Sequence, residues 1–264
     1  MPAGNIAAFA PLIPAALAWA ACSSAEIGEP GGSGGEDGGN GGGALVDAGG
    51  GGPTPDAAPS PPDAGIITLS QSASENIIGF NSVACFNKAE VETINSFYRV
   101  FDLASEGITG PFDITKVKVG VEVSTSGSAG LTATLLLHTL GGQFDPGQAA
   151  FNLADLSQLK NVETVIPDVA FPGEGEIGGI LHDVPIQTTA PAGSRLVVEV
   201  AHGGLNPGQE LILGSNQEPQ EGFTYWRAPD CDLNNPTNVD TQLDVSGEPI
   251  TMHWVVLVEG TTGG

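Results

Sequence analysis

The segment KVKVGVEV, residues 116–123, decides the fold class of this chain. Valine occupies every second position, and Lys, Gly or Glu stands between the valines. Because the side chains of a β-strand point alternately to its two faces, this segment predicts a strand with one apolar face. The same period of two recurs in RLVVEV (195–200) and MHWVVLV (252–258). We therefore predict half-buried strands that each pack one face against a core.

Further apolar runs, separated by clusters of Gly, Pro, Asn and Asp, predict more strands. These runs are 66–69, 97–103, 131–140, 164–171, 180–186, 210–213 and 223–227. Residues 150–159 are instead a candidate short helix, which Asn152 or Asp155 would cap. About ten strands at this spacing are typical of two antiparallel sheets packed face to face. The prediction is an all-β, jelly-roll-like antiparallel β-sandwich over residues 66–264.

Residues 22–65 have the composition of a tether. From residue 28 to residue 65, 38 positions hold 15 Gly and 6 Pro, with no Lys, Arg or aromatic residue. Such a stretch buries too little apolar surface to offset the conformational entropy that folding would remove. We therefore predict a disordered, Gly/Pro-rich linker in front of the sandwich.

Residues 6–21 read IAAFAPLIPAALAWAA and carry no charge. The stretch is shorter than the roughly 20 residues of a membrane-spanning helix, and Pro11 and Pro14 interrupt it. An apolar segment of this length that ends in small residues is typical of a secretory signal. The prediction is a signal peptide over residues 1–21 and export of the chain.

The sequence Trp19-Ala-Ala-Cys22 resembles the lipobox of bacterial lipoproteins, although Trp19 stands where Leu is usual. The resemblance implies that Cys22 is lipidated and anchors the chain to the cell envelope. In lipoproteins of this kind, an Asp directly after the cysteine favours retention at the inner membrane. This chain has Ser23 at that position, so the resemblance favours the outer membrane or cell surface. Met1–Asn5 has no basic residue, which a start upstream of Met1 would explain. The alternative is an ordinary cleaved signal followed by an unrelated cysteine.

Cys85 and Cys231 are the other two cysteines. An exported chain lies in an oxidising compartment, where an even pair of cysteines is typical of a disulfide. Two buried free thiols are the alternative.

The charge balance excludes whole classes of partner. The chain has 31 acidic and 7 basic residues, a net charge of −24, and residues 66–264 keep 24 acidic and 7 basic residues, or −17. Nucleic-acid binding begins with neutralisation of phosphates, so we predict no nucleic-acid partner. Anionic lipids would likewise repel this surface, so the predicted membrane contact is through Cys22 alone.

The oxygen-rich segment from Asp230 to Asn234 is the candidate metal site. Asp230, Asp232 and Asn234 alternate along it, and oxygen ligands in a loop suit a hard cation such as calcium. An EF-hand is excluded because Asn235 and Thr241 occupy the positions that require Gly and Glu. The alternative is an Asx turn, in which the side chains bind their own backbone. No other cofactor is predicted.

Tyr225 and Trp226 are candidates for stacking on a sugar ring. Alternation places Phe223 and Tyr225 on one face of the strand and Trp226 on the other. The rings would bind a glycan if they faced solvent. The alternative is that both faces are packed against the core or the loops.

Two catalytic patterns occur in the sequence but lack the context that their chemistry needs. GGSGG (31–35) matches a nucleophile elbow but lies in the tether, and GEGEIG (173–178) matches a dinucleotide loop but precedes no helix. The four histidines show no zinc-ligand spacing and are expected to be structural. We therefore predict no catalytic residues.

Several segments of the sandwich domain resemble a β-sandwich module of secreted and surface-exposed bacterial proteins. They are NSFYRVFDL (95–103), LHTLGG (137–142), PAGSRLVVEV (191–200), GSN (214–216), YWRAPDC (225–231) and MHW (252–254). The resemblance covers most of residues 77–260. It implies a sandwich and supports the pairing of Cys85 with Cys231, but it implies no catalytic residues and is a clue to fold and location only.

Three functions remain open at this point. The first is a non-catalytic surface lipoprotein whose sandwich binds a partner or serves envelope architecture. The second is a carbohydrate-binding module, with or without calcium, and the third is a secreted hydrolase with an unrecognised site.

Overall fold

The structure, a computed structural model, describes residues 65–127, 130–218, 220, 222–242 and 250–263. The predicted signal peptide 1–21, Cys22, the GGSGG motif and the tether up to residue 64 lie outside the described residues. What the sequence indicates about these segments therefore stays a prediction.

The described residues form thirteen strands and three short 3₁₀ turns, with no α-helix among them. The strands are β1 Ile67–Ser70, β2 Ile94–Asp102, β3 Phe112–Thr125, β4 Leu131–Leu140, β5 Leu156–Ile166, β6 Ile180–Ala190, β7 Arg195–Gly203, β8 Glu210–Leu213, β9 Ser215–Asn216, β10 Thr224–Ala228, β11 Leu233–Asn238, β12 His253–Trp254 and β13 Val256–Thr262. The prediction of an all-β chain is confirmed.

The strands form two main antiparallel sheets. One has the order β11-β10-β2-β7-β4-β5, and the other has the order β1-β13-β3-β6 with β8 also paired to β3. β9 and β12 form a separate two-stranded pair. Successive strands from β2 to β8 pass repeatedly between the two main sheets, which is the connectivity of a jelly-roll-like sandwich.

The core consists of the apolar faces that the alternation predicts. Val117, Val119 and Val121 of β3 are at most 2% exposed and belong to the same buried cluster as Leu135 and Leu137 of β4. The closing segment behaves in the same way, since its predicted inward residues are all in this cluster: Met252, Trp254, Val256 and Val258. The period of two thus identified the buried face of both sheets.

The candidate helix at residues 150–159 is wrong. Only Leu153–Asp155 form a 3₁₀ turn, and the side chain of Asn152 accepts a hydrogen bond from the Ala154 backbone N–H. From Leu156 the chain is β5, which pairs with β4 along its whole length. A long antiparallel partner therefore overrides the weak local helical preference. Asn152 is the predicted cap, but of a single turn.

The predicted strands also need two corrections of boundary. Only Thr164–Ile166 of the run 164–171 lies in a strand, because β5 ends where Pro167 follows, and proline cannot donate to a ladder. The closing run divides at Val255, whose backbone N–H bonds Gly214 O while its own carbonyl accepts from Gly120. This division separates β12, which pairs with β9, from β13, which pairs with β1 and β3.

Cys85 and Cys231 form a disulfide, as predicted, with a Cα–Cα distance of 6.0 Å and a sequence separation of 146 residues. Cys85 precedes β2, and Cys231 lies in the 3₁₀ turn that follows β10. Since β2 and β10 are hydrogen-bonded neighbours, the disulfide joins the segment before β2 to the turn after β10, next to each other in the six-stranded sheet.

Candidate functional site

The outer face of the six-stranded sheet carries a second apolar cluster. Tyr98 and Val100 of β2 point away from the core because their neighbours Phe97 and Phe101 point into it. Loop 141–151 folds over this face and adds further aromatic rings. We call the set the outer aromatic cluster: Tyr98, Val100, Leu140, Phe144, Phe151, Leu156, Val197, Phe223 and Tyr225.

The rings of this cluster contact one another mostly edge to face. The centroid of Phe151 lies 5.0 Å from that of Tyr225 and 5.7 Å from that of Tyr98, and Phe144 lies 6.1 Å from Tyr225. Edge-to-face contacts of this kind contribute about 0.5–1.5 kcal/mol each beyond the area that they bury. The rings therefore hold loop 141–151 in place on the sheet.

A cavity of about 190 Å³ opens at one end of the outer aromatic cluster. Three aromatic rings form part of its wall. The rest is formed by carboxylate, amide and hydroxyl side chains together with a valine, a proline and a glycine. Its lining residues are Gln71, Val100, Asp102, Ser105, Glu106, Phe144, Pro146, Gly222, Phe223 and Tyr225. Apolar walls with a few polar groups are typical of small-ligand sites, so this cavity is the candidate functional site.

Gln71 is a buried polar side chain of the cavity wall, with 8% of the residue exposed. Its Nε2 donates to the carbonyl of Val100 at 2.7 Å, which fixes the amide. No donor within the described part of the chain reaches its Oε1. Gly222 packs directly on this amide, and a Cβ at that position would overlap it. Glycine at position 222 therefore leaves free the space that the Gln71 amide occupies.

The rim of the cavity is acidic. Asp102 Oδ1 accepts hydrogen bonds from the backbone N–H groups of Ala104 and Ser105, at 3.1 and 3.3 Å. Arg195 stands beside this rim, with its Nε 3.8 Å from Asp102 Oδ2 and its guanidinium 5.8 Å from the centroid of Phe144. This edge therefore already holds one cation between a carboxylate and a ring.

Tyr225 forms the inner wall of the cavity. Burial, followed by the negative charges of Asp145 and Asp240, raises the pKa of its hydroxyl to about 12. The hydroxyl therefore stays neutral at physiological pH.

A polar trio lies on the same face of the sheet. Glu199 of β7 accepts a hydrogen bond from the Tyr98 hydroxyl at 2.8 Å, and its other oxygen lies 2.9 Å from Nε2 of His138 on β4. Burial opposes ionisation of Glu199, but the hydrogen bonds from His138 and Tyr98 outweigh it and lower its pKa. Both oxygens of Glu199 are thus occupied in joining three adjacent strands.

A buried polar network lies next to the disulfide. Glu92 Oε1 is 2.8 Å from Nε2 of His202, and Glu92 Oε2 accepts from the Leu211 backbone N–H at 2.8 Å. The two side chains are 0% and 1% exposed, respectively. Asn95 extends the network, because its Oδ1 accepts from the Cys85 backbone N–H and from Trp226 Nε1. The network joins the two sheets and has no solvent access.

The structure contradicts the predicted stacking role of Tyr225 and Trp226. Both residues are 0% exposed, and Trp226 packs in the main core with its Nε1 bonded to Asn95. The reason is that both faces of β10 are covered, one by the facing sheet and one by loop 141–151. The half-buried rings at the cavity are instead those of Phe144 and Phe223. The prediction that Phe223 and Tyr225 share a face is confirmed.

The predicted calcium ligands are surface residues. Asp230 lies in the 3₁₀ turn Pro229–Cys231, Asp232 follows it with a φ of 65°, and Asn234 lies in β11. All three are exposed. The described ranges contain no group of three or more His, Cys, Asp or Glu side chains placed to hold a metal ion. Calcium binding by these residues stays a prediction.

The remaining sequence motifs take structural roles where the structure describes them. GEGEIG (173–178) forms a turn, in which the Glu176 N–H donates to Gly173 O and Gly175 has a φ of 70°. No helix long and apolar enough to cross a membrane occurs in the described part of the chain.

No protein-family model, curated protein or solved structure matches this chain. A function is therefore proposed from the fold and the cavity.

Proposed function

We propose that this chain is a non-catalytic binding lipoprotein of the bacterial cell envelope. The lipid on Cys22 anchors it at the outer membrane or cell surface, the tether of residues 22–65 spaces it, and the sandwich binds a ligand. The observation that carries the proposal is the cavity on the outer face of the six-stranded sheet. Its wall combines three aromatic rings with a fixed amide and an acidic rim. Such a wall supplies apolar and polar contacts for a small ligand.

The anchor is tested on the full chain produced in a bacterial host. We expect the protein in the membrane fraction, with a mature N-terminus at a diacylated Cys22 by mass spectrometry. Cys22→Ser is expected to move it to the soluble fraction, because one lipidated cysteine is the predicted link to the membrane. Ser24→Ala, a change of similar size two residues away, is the matched control and should stay with the membrane. An unmodified mature protein that begins at Ser23 or Ala25 would contradict the lipoprotein proposal.

A second candidate function is carbohydrate binding, which the half-buried rings of Phe144 and Phe223 favour. Sugar rings present apolar faces that pack on aromatic rings, and the carboxylates of the wall would accept hydrogen bonds from hydroxyl groups. The predicted calcium site at Asp230, Asp232 and Asn234 lies outside the lining of the cavity, so calcium is tested separately from the glycan.

A glycan array with and without calcium tests this candidate. We expect Phe144→Ala to weaken any hit roughly fivefold, because a stacked ring is worth about 1 kcal/mol. Phe171→Ala is the matched control, because Phe171 is 42% exposed and packs on Phe80, outside the cavity lining. If calcium binds as predicted, it raises the Tm of the parent but not that of Asp232→Ala. An empty array counts against carbohydrate, and an unchanged parent Tm counts against calcium.

A further inference from the structure

Two loops at one end of the sandwich, residues 77–82 and 171–179, present apolar side chains to solvent. Ile177 is 69% exposed and Phe171 is 42% exposed, and three half-buried apolar residues accompany them. We call the set the distal apolar patch: Ile78, Phe80, Phe171, Pro172 and Ile177. Exposed apolar residues of soluble proteins are usually scattered singly, so a contiguous set is typical of an interaction surface.

The patch is continuous because the two loops pack tightly against each other. The ring centroids of its two phenylalanines are 4.4 Å apart, and its two isoleucines are paired in an isolated antiparallel β-bridge. A Cβ on Gly79 or on Gly178 would overlap the ring of Pro172, so both glycines allow this close approach. The Gly79 N–H also donates to the Glu176 carbonyl at 2.9 Å. The two loops therefore form one surface.

Buried polar groups hold the first loop in this shape. Phe80 has a φ of 62°, a conformation that is uncommon for a residue other than glycine and that costs free energy. Its backbone N–H donates at 2.7 Å to Oε1 of Glu122, which is 1% exposed. The buried hydroxyl of Ser215 donates to the Asn81 carbonyl at 2.7 Å. A strained residue that is held in place by buried groups is typical of a functional surface.

The patch lies at the end of the sandwich opposite to the predicted tether. Ile67 of β1 pairs with Gly260, which pairs with Ile114, so the sandwich is joined to the tether beside the start of β3. The hydrogen bond that Glu122 accepts from the patch lies eight residues further along β3, which spans roughly 25 Å. In a chain anchored through Cys22, as proposed above, this end is away from the tether and open to a partner.

The charge around the patch has one sign. The segments 71–82 and 167–180, which carry it, contain no Lys or Arg and four carboxylates: Glu75, Asp168, Glu174 and Glu176. A second copy would bring the same acidic surface, because residues 66–264 carry a net charge of −17. The chain before residue 66 has seven acidic and no basic residues, and anionic lipid is repelled as well. Charge complementarity therefore favours a cationic occupant.

We propose that the distal apolar patch is a docking surface for a cationic protein segment. An apolar side chain of the partner packs on Phe171 and Ile177, and lysine or arginine side chains beside it pair with Glu174 and Glu176. The buried hydrogen bonds fix the shape of the first loop before binding, which lowers the entropic cost of association. This inference goes beyond the proposed function, since the patch shares no residue with the lining of the cavity.

The test is an NMR titration of the full chain with three matched peptides, acetyl-KLKLK-amide, acetyl-ELELE-amide and acetyl-KSKSK-amide. We expect KLKLK to bind about tenfold more tightly than either of the others, because ELELE has the opposite charge and KSKSK has no apolar side chain to bury. The backbone amides of Ile177 and Gly178 should shift. Added salt should weaken the binding of KLKLK.

A matched pair of isoleucine variants tests the location. We expect Ile177→Ser to weaken KLKLK about tenfold, because it removes the most exposed apolar side chain of the patch. Ile66→Ser is the control and should leave the affinity unchanged, since Ile66 is 75% exposed and precedes β1 at the other end of the sandwich. Because both side chains are exposed, both variants are expected to fold.

A matched pair of charge variants tests the role of the carboxylates. We expect Glu174→Gln combined with Glu176→Gln to weaken KLKLK several-fold and to reduce its salt dependence. Asp145→Asn combined with Asp155→Asn removes the same number of charges from exposed positions before β5, whereas the patch follows β5. This control should change the affinity less than twofold.

Each contrary result overturns a stated part of the inference. Equal affinity for KLKLK and ELELE overturns the cationic partner, and equal affinity for KLKLK and KSKSK overturns the apolar contact. Equal losses in Ile177→Ser and Ile66→Ser, or in the two charge variants, overturn the location. A dimer of the parent in sedimentation that Ile177→Ser dissociates assigns the patch to a second copy and overturns the inference as well. The Cys22 and Phe144 variants do not alter the patch, so they test the proposed function separately.

Discussion

Replacing Cys85 and Cys231 together by alanine is expected to lower the free energy of unfolding by about 5 kcal/mol. The bond closes a loop of 146 residues, and cross-linking so long a loop removes much of the conformational entropy of the unfolded chain. The strands from β2 to β10 lie inside this loop. A loss of this size is comparable to the whole stability of many domains, so we expect a much lower midpoint in chemical denaturation.

Reduction provides the control for this measurement. A reducing agent should lower the stability of the parent to that of the double variant and leave the variant itself unchanged. Two variants with one cysteine replaced each should match the double variant, since either change removes the bond. A loss below about 1 kcal/mol would show that the loop is already constrained in the unfolded state, against the chain-entropy account.

The His202→Leu variant is expected to lose about 3–5 kcal/mol of stability. His202 and Glu92 are at most 1% exposed, with 2.8 Å between Nε2 and Oε1, so the variant leaves a buried carboxylate without its counterpart. Removing one member of a buried polar pair is more costly than removing both, because no water replaces the lost partner of the remaining group. The measurement is equilibrium unfolding in urea at neutral pH.

Two further variants test this reason. Glu92→Leu combined with His202→Leu should recover part of the loss, although the Leu211 N–H then loses its acceptor. His182→Leu is the matched control, because His182 is only partly buried and lies 2.8 Å from the Thr164 hydroxyl. We expect it to lose at most about 1 kcal/mol. Similar losses in His182→Leu and His202→Leu would contradict the buried-pair explanation.

The strands were predictable where the apolar period was long. The alternation at residues 116–123 predicts both the strand and its buried face, because burial of one face of a sheet imposes that period. Short strands were not predictable in this way. Ser215–Asn216 is a strand only because its partner His253–Trp254 lies beside it, and two residues carry no period. Residues 156–166 became a strand because β4 offered a full-length partner.

The candidate site was less predictable than the fold. The aromatic strand was a reasonable place to expect a site, and Tyr225 does line the cavity, but as a buried wall. No sequence pattern pointed to Phe144 or Gln71 as site residues. Phe144 lies in a Gly- and Pro-containing loop, and Gln71 directly follows β1. Nothing in the sequence singles out Gly222, because only the structure shows that a side chain there would overlap Gln71.

The sequence by itself determined the all-β class and the alternating buried faces, since these depend on local period. It indicated the pairing of Cys85 with Cys231 but left two free thiols open, and the structure decided between them. The tertiary structure alone decided which rings are accessible. Exposure of Phe144 and burial of Trp226 depend on how loop 141–151 and the facing sheet cover the two faces of β10. Those contacts join residues far apart in the chain, and no local pattern encodes them.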